Sequence, residues 1–339
     1  MTDVVRRAGI ASAVGALAVA AVVAAATGSG GAADDRDAGA AAVDRWIPRT
    51  PSPLERTEVA AARIGRHVYV VGGFEAQSGE TTGAVARYNV KHDRWKRVEP
   101  LPIGVNHATA AAHDRKLYVH GGFTASGGLA GATSRLYSYN PRRDRWRRLR
   151  DSGVPRAAHA LAAIGDRLYA AGGANSSSQE LSSLEVYDIS DGEWTDGPSM
   201  SVGRNHVAAT VAGGRFYVLG GRPLNTAVGE AFDPRSRSWS SIAPMGTPRS
   251  GFAAAPIRGR VAVFGGEELG PGGTTIEEVE LYDPATDRWT ELPVMRTPRH
   301  GVGGVSRKRR LFALEGGPRP GFAFSDAVEY LDVPKALVR

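Results

Sequence analysis

Five arginines, Arg56, Arg156, Arg204, Arg249 and Arg299, each precede a diglycine by 16 or 17 residues. Guanidinium groups brought into one ring would focus a positive potential and grip carboxylates in bidentate fashion. Two or three residues beyond these positions lies a second set: Glu58, His107, His159, His206, Phe252 and Val302. Asn106 and the three His are the members of this neighbourhood best able to bond a ligand. Imidazoles suit Zn or Cu. Each His, however, falls in a separate stretch of chain with no i, i+4 spacing to force convergence, so no metal is expected. The chain has no Cys, which excludes disulfides, thiolate metal sites and Cys nucleophiles. It also lacks a nucleophile elbow, a Gly-rich phosphate loop and HExxH. Glu75, Glu180, Glu267 and Glu268 keep paired-carboxylate sugar chemistry open, but the expectation is a protein that binds rather than catalyses, with no cofactor.

What positions these side chains is a repeat. Diglycines end apolar runs at Gly72-Gly73, Gly121-Gly122, Gly172-Gly173, Gly220-Gly221, Gly265-Gly266 and Gly316-Gly317. From Trp46, Trp95, Trp146, Trp194 and Trp239 to the next diglycine is 26 residues, and from Trp289 it is 27. Tyr88, Tyr139, Tyr187, Phe232 and Tyr282 each lie seven residues before a Trp. The sixth unit places its aromatic at Tyr330. All length variation falls between diglycine and aromatic, so each unit is a fixed frame with one free loop. Short apolar runs between Gly and Pro are strands, and Asp283-Pro284 and its counterparts suit type I turns. Four strands a to d per unit follow: a is small and apolar, b ends in the diglycine, c carries the aromatic and d the Trp. Six such sheets around an axis make an all-β propeller. The sixth unit lacks a Trp, with Leu337 at that position, and Asp44-Arg45-Trp46 stands where it would supply the missing outer strand. The variable b–c loops, Phe74–Gly83, Phe123–Thr133, Ala174–Ser183 and Glu267–Thr275, then share one face with the d–a connections.

The diglycine, the spaced Tyr and Trp and the ~50-residue period resemble the kelch repeat family. The resemblance covers about Asp44 to Leu331 and implies a six-bladed kelch β-propeller whose Arg ring grips an acidic peptide segment. The alternative is that the Pro-Arg pair belongs to the repeat frame, with each Arg tied to neighbouring carbonyls. Galactose oxidase shares the propeller but needs a cysteine-linked tyrosine, so that activity does not carry over. A sialic-acid mutarotase of kelch type stays open as an enzymatic alternative, with no catalytic residues to place.

The 339 residues divide into 1–26, an export signal or uncleaved membrane anchor; 27–43, a flexible linker; 44–334, the propeller; and 335–339, a C-terminal tail. Arg6-Arg7 followed by an uncharged run from Ala8 to Ala26 carries the export reading, which places the protein outside the cell or on its envelope. The net charge of +7 favours an acidic partner: a protein, or an anionic carbohydrate at the channel mouth. Arg142, Arg143, Arg145, Arg147, Arg148 and Arg150, with Arg307, Lys308, Arg309 and Arg310, either guard strand edges or dock on an anionic envelope surface. No stacking aromatics interleave these runs, which argues against nucleic acid.

Overall fold

The structure, a computed structural model, describes residues 45–338. The expected signal and linker, residues 1–43, lie outside the described residues. Six four-stranded antiparallel sheets form the expected propeller. Blade 1 is Ala60–Ile64, His67–Val71, Val85–Asn89 and Arg94–Val98, from axis to rim, and blades 2 to 5 repeat it. In blade 6, Gly303–Arg307, Arg310–Leu314 and Val328–Asp332 are completed by Ile47–Pro48, whose partners are Tyr330 and Glu329. The N-terminal strand therefore closes the ring.

The innermost strands are built from Ala, Gly and Thr because six of them converge on a channel of roughly 140 Å³. Gly304 shows how little room remains: a Cβ there would sit 2.3 Å from the Ala253 Cβ. Aromatics fill the wedges further out, where the gap between sheets is wider. In five blades the Trp lies opposite the c-strand aromatic, as in Tyr88 with Trp95 and Phe232 with Trp239.

Each Trp also fastens its blade to the one before it. The indole N–H of Trp95, Trp146, Trp194, Trp239 and Trp289 donates to the carbonyl of Thr50, Glu99, Arg150, Pro198 and Ala243, at 2.7–2.9 Å. Every acceptor stands four residues beyond the previous blade's Trp. Trp46 obeys the same rule, donating to Pro293 at 3.0 Å, four residues after Trp289. The Asp of the Asp-Arg-Trp signature adds a second clip. Asp93, Asp144 and Asp287 each accept the Tyr hydroxyl of their own blade and a backbone N–H of the preceding one.

Blade 6 corrects two expectations. Arg310–Leu314 is followed by Glu315, whose φ of 57° matches the first glycine elsewhere, and by Gly316, whose φ of 96° matches the second. The sixth corner is Glu315-Gly316, not Gly316-Gly317, and the interval from Trp289 becomes 26 like the other five. Leu331, fourth in its strand, takes the place of the c-strand aromatic, while Tyr330 faces Ile47. Residues assigned to a tail form a 3-10 turn, Lys335–Val338, whose Val338 is buried in the cluster containing Trp46 and Phe264. Leu337 packs against that cluster without replacing Trp46.

Candidate functional site

The Arg column does not line the channel mouth. Arg56, Arg156, Arg204, Arg249 and Arg299 are at most 2% exposed. Each Nη1 donates to the carbonyl of the residue sixteen positions on, namely Gly72, Gly172, Gly220, Gly265 and Glu315. In four blades the other terminal nitrogen binds a c-strand carboxylate: Glu185, Glu230, Glu280 or Glu329, at 2.7–3.1 Å. Glu315 serves Arg56 instead. Buried ions persist when paired and hydrogen-bonded, and these are spent on holding each b–c corner against its d–a connection. The frame reading of these Arg is the one the structure bears out. They cannot rim the mouth, and the argument for an acidic partner loses its cations.

The mouth is formed one step further along. Glu58, His107, Ala158, His206, Gly251 and Gly301 all have φ between 50° and 62°, a turn that directs this ring toward the axis. Backbone N–H groups link neighbours, from His107 to Glu58, Ala158 to His107, Gly251 to His206 and Gly301 to Gly251. Ala158, not His159, is the ring member of its blade. His159 is 1% exposed and lies between blades, its Nε2 2.8 Å from Thr109 Oγ1 and 3.0 Å from His120 Nδ1. Phe252 and Val302 are likewise one position past the ring and buried.

Outside this ring come the residues that follow each diglycine, held by single bridges such as Asn106 to Phe123, Asn205 to Arg222 and Ser250 to Glu267. They supply groups that motif reading passed over. Arg222 donates to Glu267, to Ser250 Oγ at 3.2 Å and to His206 Nε2 at 3.1 Å. Glu267 also accepts the Gly321 N–H at 2.8 Å. Glu58 reaches His107 Nε2 with one oxygen and His300 Nδ1 with the other, both at 3.1 Å. Arg222, Glu267 and His300 could have been found by reading the position after each diglycine and before each ring residue as columns of their own.

Asn106 and Asn205 orient the two ring His, accepting from Nδ1 of His107 (2.7 Å) and of His206. Burial pushes both imidazoles below their usual range, in His107 against the pull of Glu58. Burial also works downward on His300, yet its hydrogen bond to Glu58 and the charges of Glu58 and Glu267 outweigh it and raise the imidazole. Burial works upward on Glu58, but the facing imidazoles win and hold the carboxyl well below the ordinary range. The floor is thus an ion pair, Glu58 with His300, beside a second, Arg222 with Glu267. Glu58, Glu267 and His300 bring ligand atoms close enough for a metal, but Arg222 and the Gly321 N–H occupy the Glu267 oxygens.

Above this floor opens a funnel of roughly 290 Å³, walled by Phe74, Leu129, Leu269 and Phe322. Among the described residues, the large apolar side chains that are exposed are Leu129, Val202, Leu224, Val228, Leu269, Val294 and Phe322. All seven belong to b–c loops or d–a connections, on one face of the disc.

These features define a closed six-bladed repeat propeller with a floored funnel on its loop face. The chain belongs to the kelch-repeat family: the KLHDC2/KLHL20/DRC7 Kelch-repeats domain model matches residues 42–221 and 158–332. It is similar to F-box/kelch-repeat protein At1g26930 of Arabidopsis thaliana, 31% identical over 36% of this chain and 32% of that protein. It is 31% identical to human Kelch-like protein 34 over 39% of this chain and 22% of the other. The chain thus spans under a third of the length of these curated relatives. Among solved structures, that described as "Structure of YjhT" superposes with a TM-score of 0.71 at 18% identity, covering 83% of this chain and 96% of the other, which shows a shared fold.

Proposed function

We propose that this propeller is a non-catalytic recognition scaffold that binds a protein segment on its loop face. The observation that carries the reading is that, among the described residues, the exposed large apolar side chains all lie on that face. Contiguous exposed apolar surface marks interaction sites, and loops on a rigid scaffold are where binding residues concentrate. The opposite face is made of short turns with charged tips such as Arg142, Arg143 and Lys308. The test is to pan a randomised dodecapeptide library on the whole protein. Leu129→Asp and Phe322→Asp should abolish capture, whereas Arg142→Asp with Arg143→Asp should not. Captured peptides indifferent to both loop-face changes would sink the reading. We also propose that residues 1–26 direct export, on the strength of Arg6-Arg7 and the uncharged run after it. N-terminal sequencing of protein recovered outside the producing cells should then begin near Thr27.

A further inference from the structure

The hydrogen-bond inventory at the funnel floor leaves one position short of a proton. Asn106 has its amide group fixed: Nδ2 donates to Thr81 Oγ1 at 2.8 Å and to the Gly128 carbonyl at 3.3 Å. Thr81 spends its own hydroxyl proton on the Ala125 carbonyl at 2.6 Å, so it accepts from Asn106. Asn106 Oδ1 must therefore face His107, and Nδ1 is the nitrogen that carries hydrogen in a neutral ring. His107 Nε2 is then a bare acceptor, and Glu58 Oε2, another acceptor, lies 3.1 Å away. The His107 side chain is 5% exposed and the Glu58 side chain 12%, so little water reaches the pair. His206 shows the satisfied version of the same arrangement, since its Nε2 receives an Arg222 N–H. Burial outweighs the pull of Glu58 on the His107 imidazole and favours the neutral ring, while the hydrogen bond and charge of His300 keep Glu58 ionised.

The walls indicate what would supply the missing donor. Phe74 meets Phe322 edge to face at 5.0 Å and His107 at 6.1 Å, and Leu129 and Leu269 complete the funnel. Lys and Arg lay their alkyl stems along such apolar surface while the charged head seeks acceptors, and aromatic faces attract that head. The rim has matching charge. The six b–c loops, 72–84, 121–135, 172–183, 220–228, 265–278 and 315–327, carry nine carboxylates and three Arg and no Lys. Of these, Glu75, Glu80, Glu180, Glu268, Glu277, Glu278 and Asp326 have no basic group within 4 Å among the described residues. The a–b and c–d turns of the opposite face carry ten Lys or Arg against seven carboxylates, so the rim of b–c loops is the more acidic part of the surface.

We infer that the loop-face funnel receives one Lys or Arg side chain of the bound segment, its N–H groups bridging Glu58 Oε2 and His107 Nε2. The stem lies against Phe74, Leu129 and Phe322, and the acidic rim steers the basic segment inward. This inference rests on the loop-face reading above and reverses the polarity of partner expected from the Arg spacing.

The experiment is the same dodecapeptide panning, with sequencing of the captured pool and binding of selected peptides in EDTA at two salt concentrations. Lys or Arg enriched at one peptide position is expected, with capture falling as salt rises because rim charges are screened. Glu58→Gln should weaken those peptides about ten-fold or more, the worth of one charge-assisted hydrogen bond. Phe322→Ser, at an exposed wall position outside the core, should weaken them without lowering the melting midpoint, so the test survives if the Glu58 variant folds poorly. A pool that depends on Phe322 but carries no basic residue, or an acidic one, overturns the inference and leaves the loop-face reading standing. Peptides indifferent to Phe322→Asp and Leu129→Asp overturn both. Binding abolished by EDTA assigns the acceptor pair to a metal ion and overturns it too.

Discussion

Arg56 and Glu315 form a bidentate ion pair, Nε to Oε2 at 2.8 Å and Nη2 to Oε1 at 3.0 Å, with neither side chain exposed. Glu315 stands where five blades have glycine, at a φ of 57° that an L side chain rarely adopts. Blade 1 has Ala86 at the c-strand position that holds Glu185, Glu230, Glu280 and Glu329 in other blades, so Arg56 draws its counter-ion across the seam where the ring closes. Glu315→Gly would relieve the backbone by about 1–2 kcal/mol but strand a buried guanidinium, which costs about 3–5 kcal/mol. A net loss of stability is expected in urea unfolding. Adding Ala86→Glu should recover much of it by restoring the in-blade partner. Glu315→Gly as stable as wild type, or no recovery in the double variant, would refute this role.

The ring's closure gives the second prediction. Trp46 is 1% exposed, touches Phe264 at 5.5 Å between ring centroids and donates to Pro293. Trp46→Ala should cost about 3–5 kcal/mol, the usual range for a buried Trp. Deleting residues 27–42 should leave the urea midpoint unchanged. Equal effects would mean that the Val338 and Leu337 packing closes the ring without the N-terminal strand.

The frame was legible in the sequence because its parts are covalently spaced: 26 residues from Trp to corner is a property of the chain, and it located the closing strand. Blade 6 misled because Glu315 occupies a glycine position, shifting the apparent diglycine by one. The Arg column was legible as a column but not as an interior one. Spacing tells which residues are equivalent, and burial depends on partners such as Glu185 and Glu280 that sit 29 and 31 residues away. Spacing places His159 at the mouth, but a single step along extended chain reverses the side chain's face, and only the positive φ at Ala158 shows which step is taken. His107, His206 and Asn106 do reach the floor, but Arg222, Glu267 and His300 come from columns without a residue type in common.

Acid sensitivity follows from the His placed between blades. Burial, helped by the charge of Arg156, pushes His120 down to about 3, and burial pushes His159 well below its ordinary range. Unfolded His binds a proton below about pH 6.5 while these two do not, so the stability they carry is present above that pH. It is lost as pH falls from about 6.5 toward about 3, at about 1.4 kcal/mol per pH unit for each. His300 has the opposite sign: its raised imidazole contributes below about pH 6.5 and fades as pH rises through its folded value. Urea midpoints at pH 7, 5.5 and 4.5 should fall less steeply in His120→Gln than in wild type. Parallel slopes would show that carboxylates alone set the acid limb.

Blade 2 suggests how the buried ion pairs could be removed. It has Val105 where the other blades have Arg and Tyr137 where four of them have Glu. Pro102 stands where blade 5 has Gly246 and blade 3 has Gly153, whose N–H groups bond Glu280 and Glu185. A proline has no N–H to satisfy, so three positions change together and leave neither a buried carboxylate nor the N–H that would bond it without a partner. Pro53 makes the same substitution ahead of blade 1, which also lacks the c-strand Glu. Arg249→Val alone should therefore be strongly destabilising, because Glu280 is left buried without its cation. Reversing the pair, Arg249→Glu with Glu280→Arg, should not rescue it, since the guanidinium also serves the carbonyls of Gly265 and Glu278. Transplanting the blade 2 solution, Arg249→Val with Glu280→Tyr and Gly246→Pro, should recover more stability than the reversed pair. Equal stability of the two designs in urea unfolding would show that charge, rather than satisfied hydrogen bonding, governs this corner.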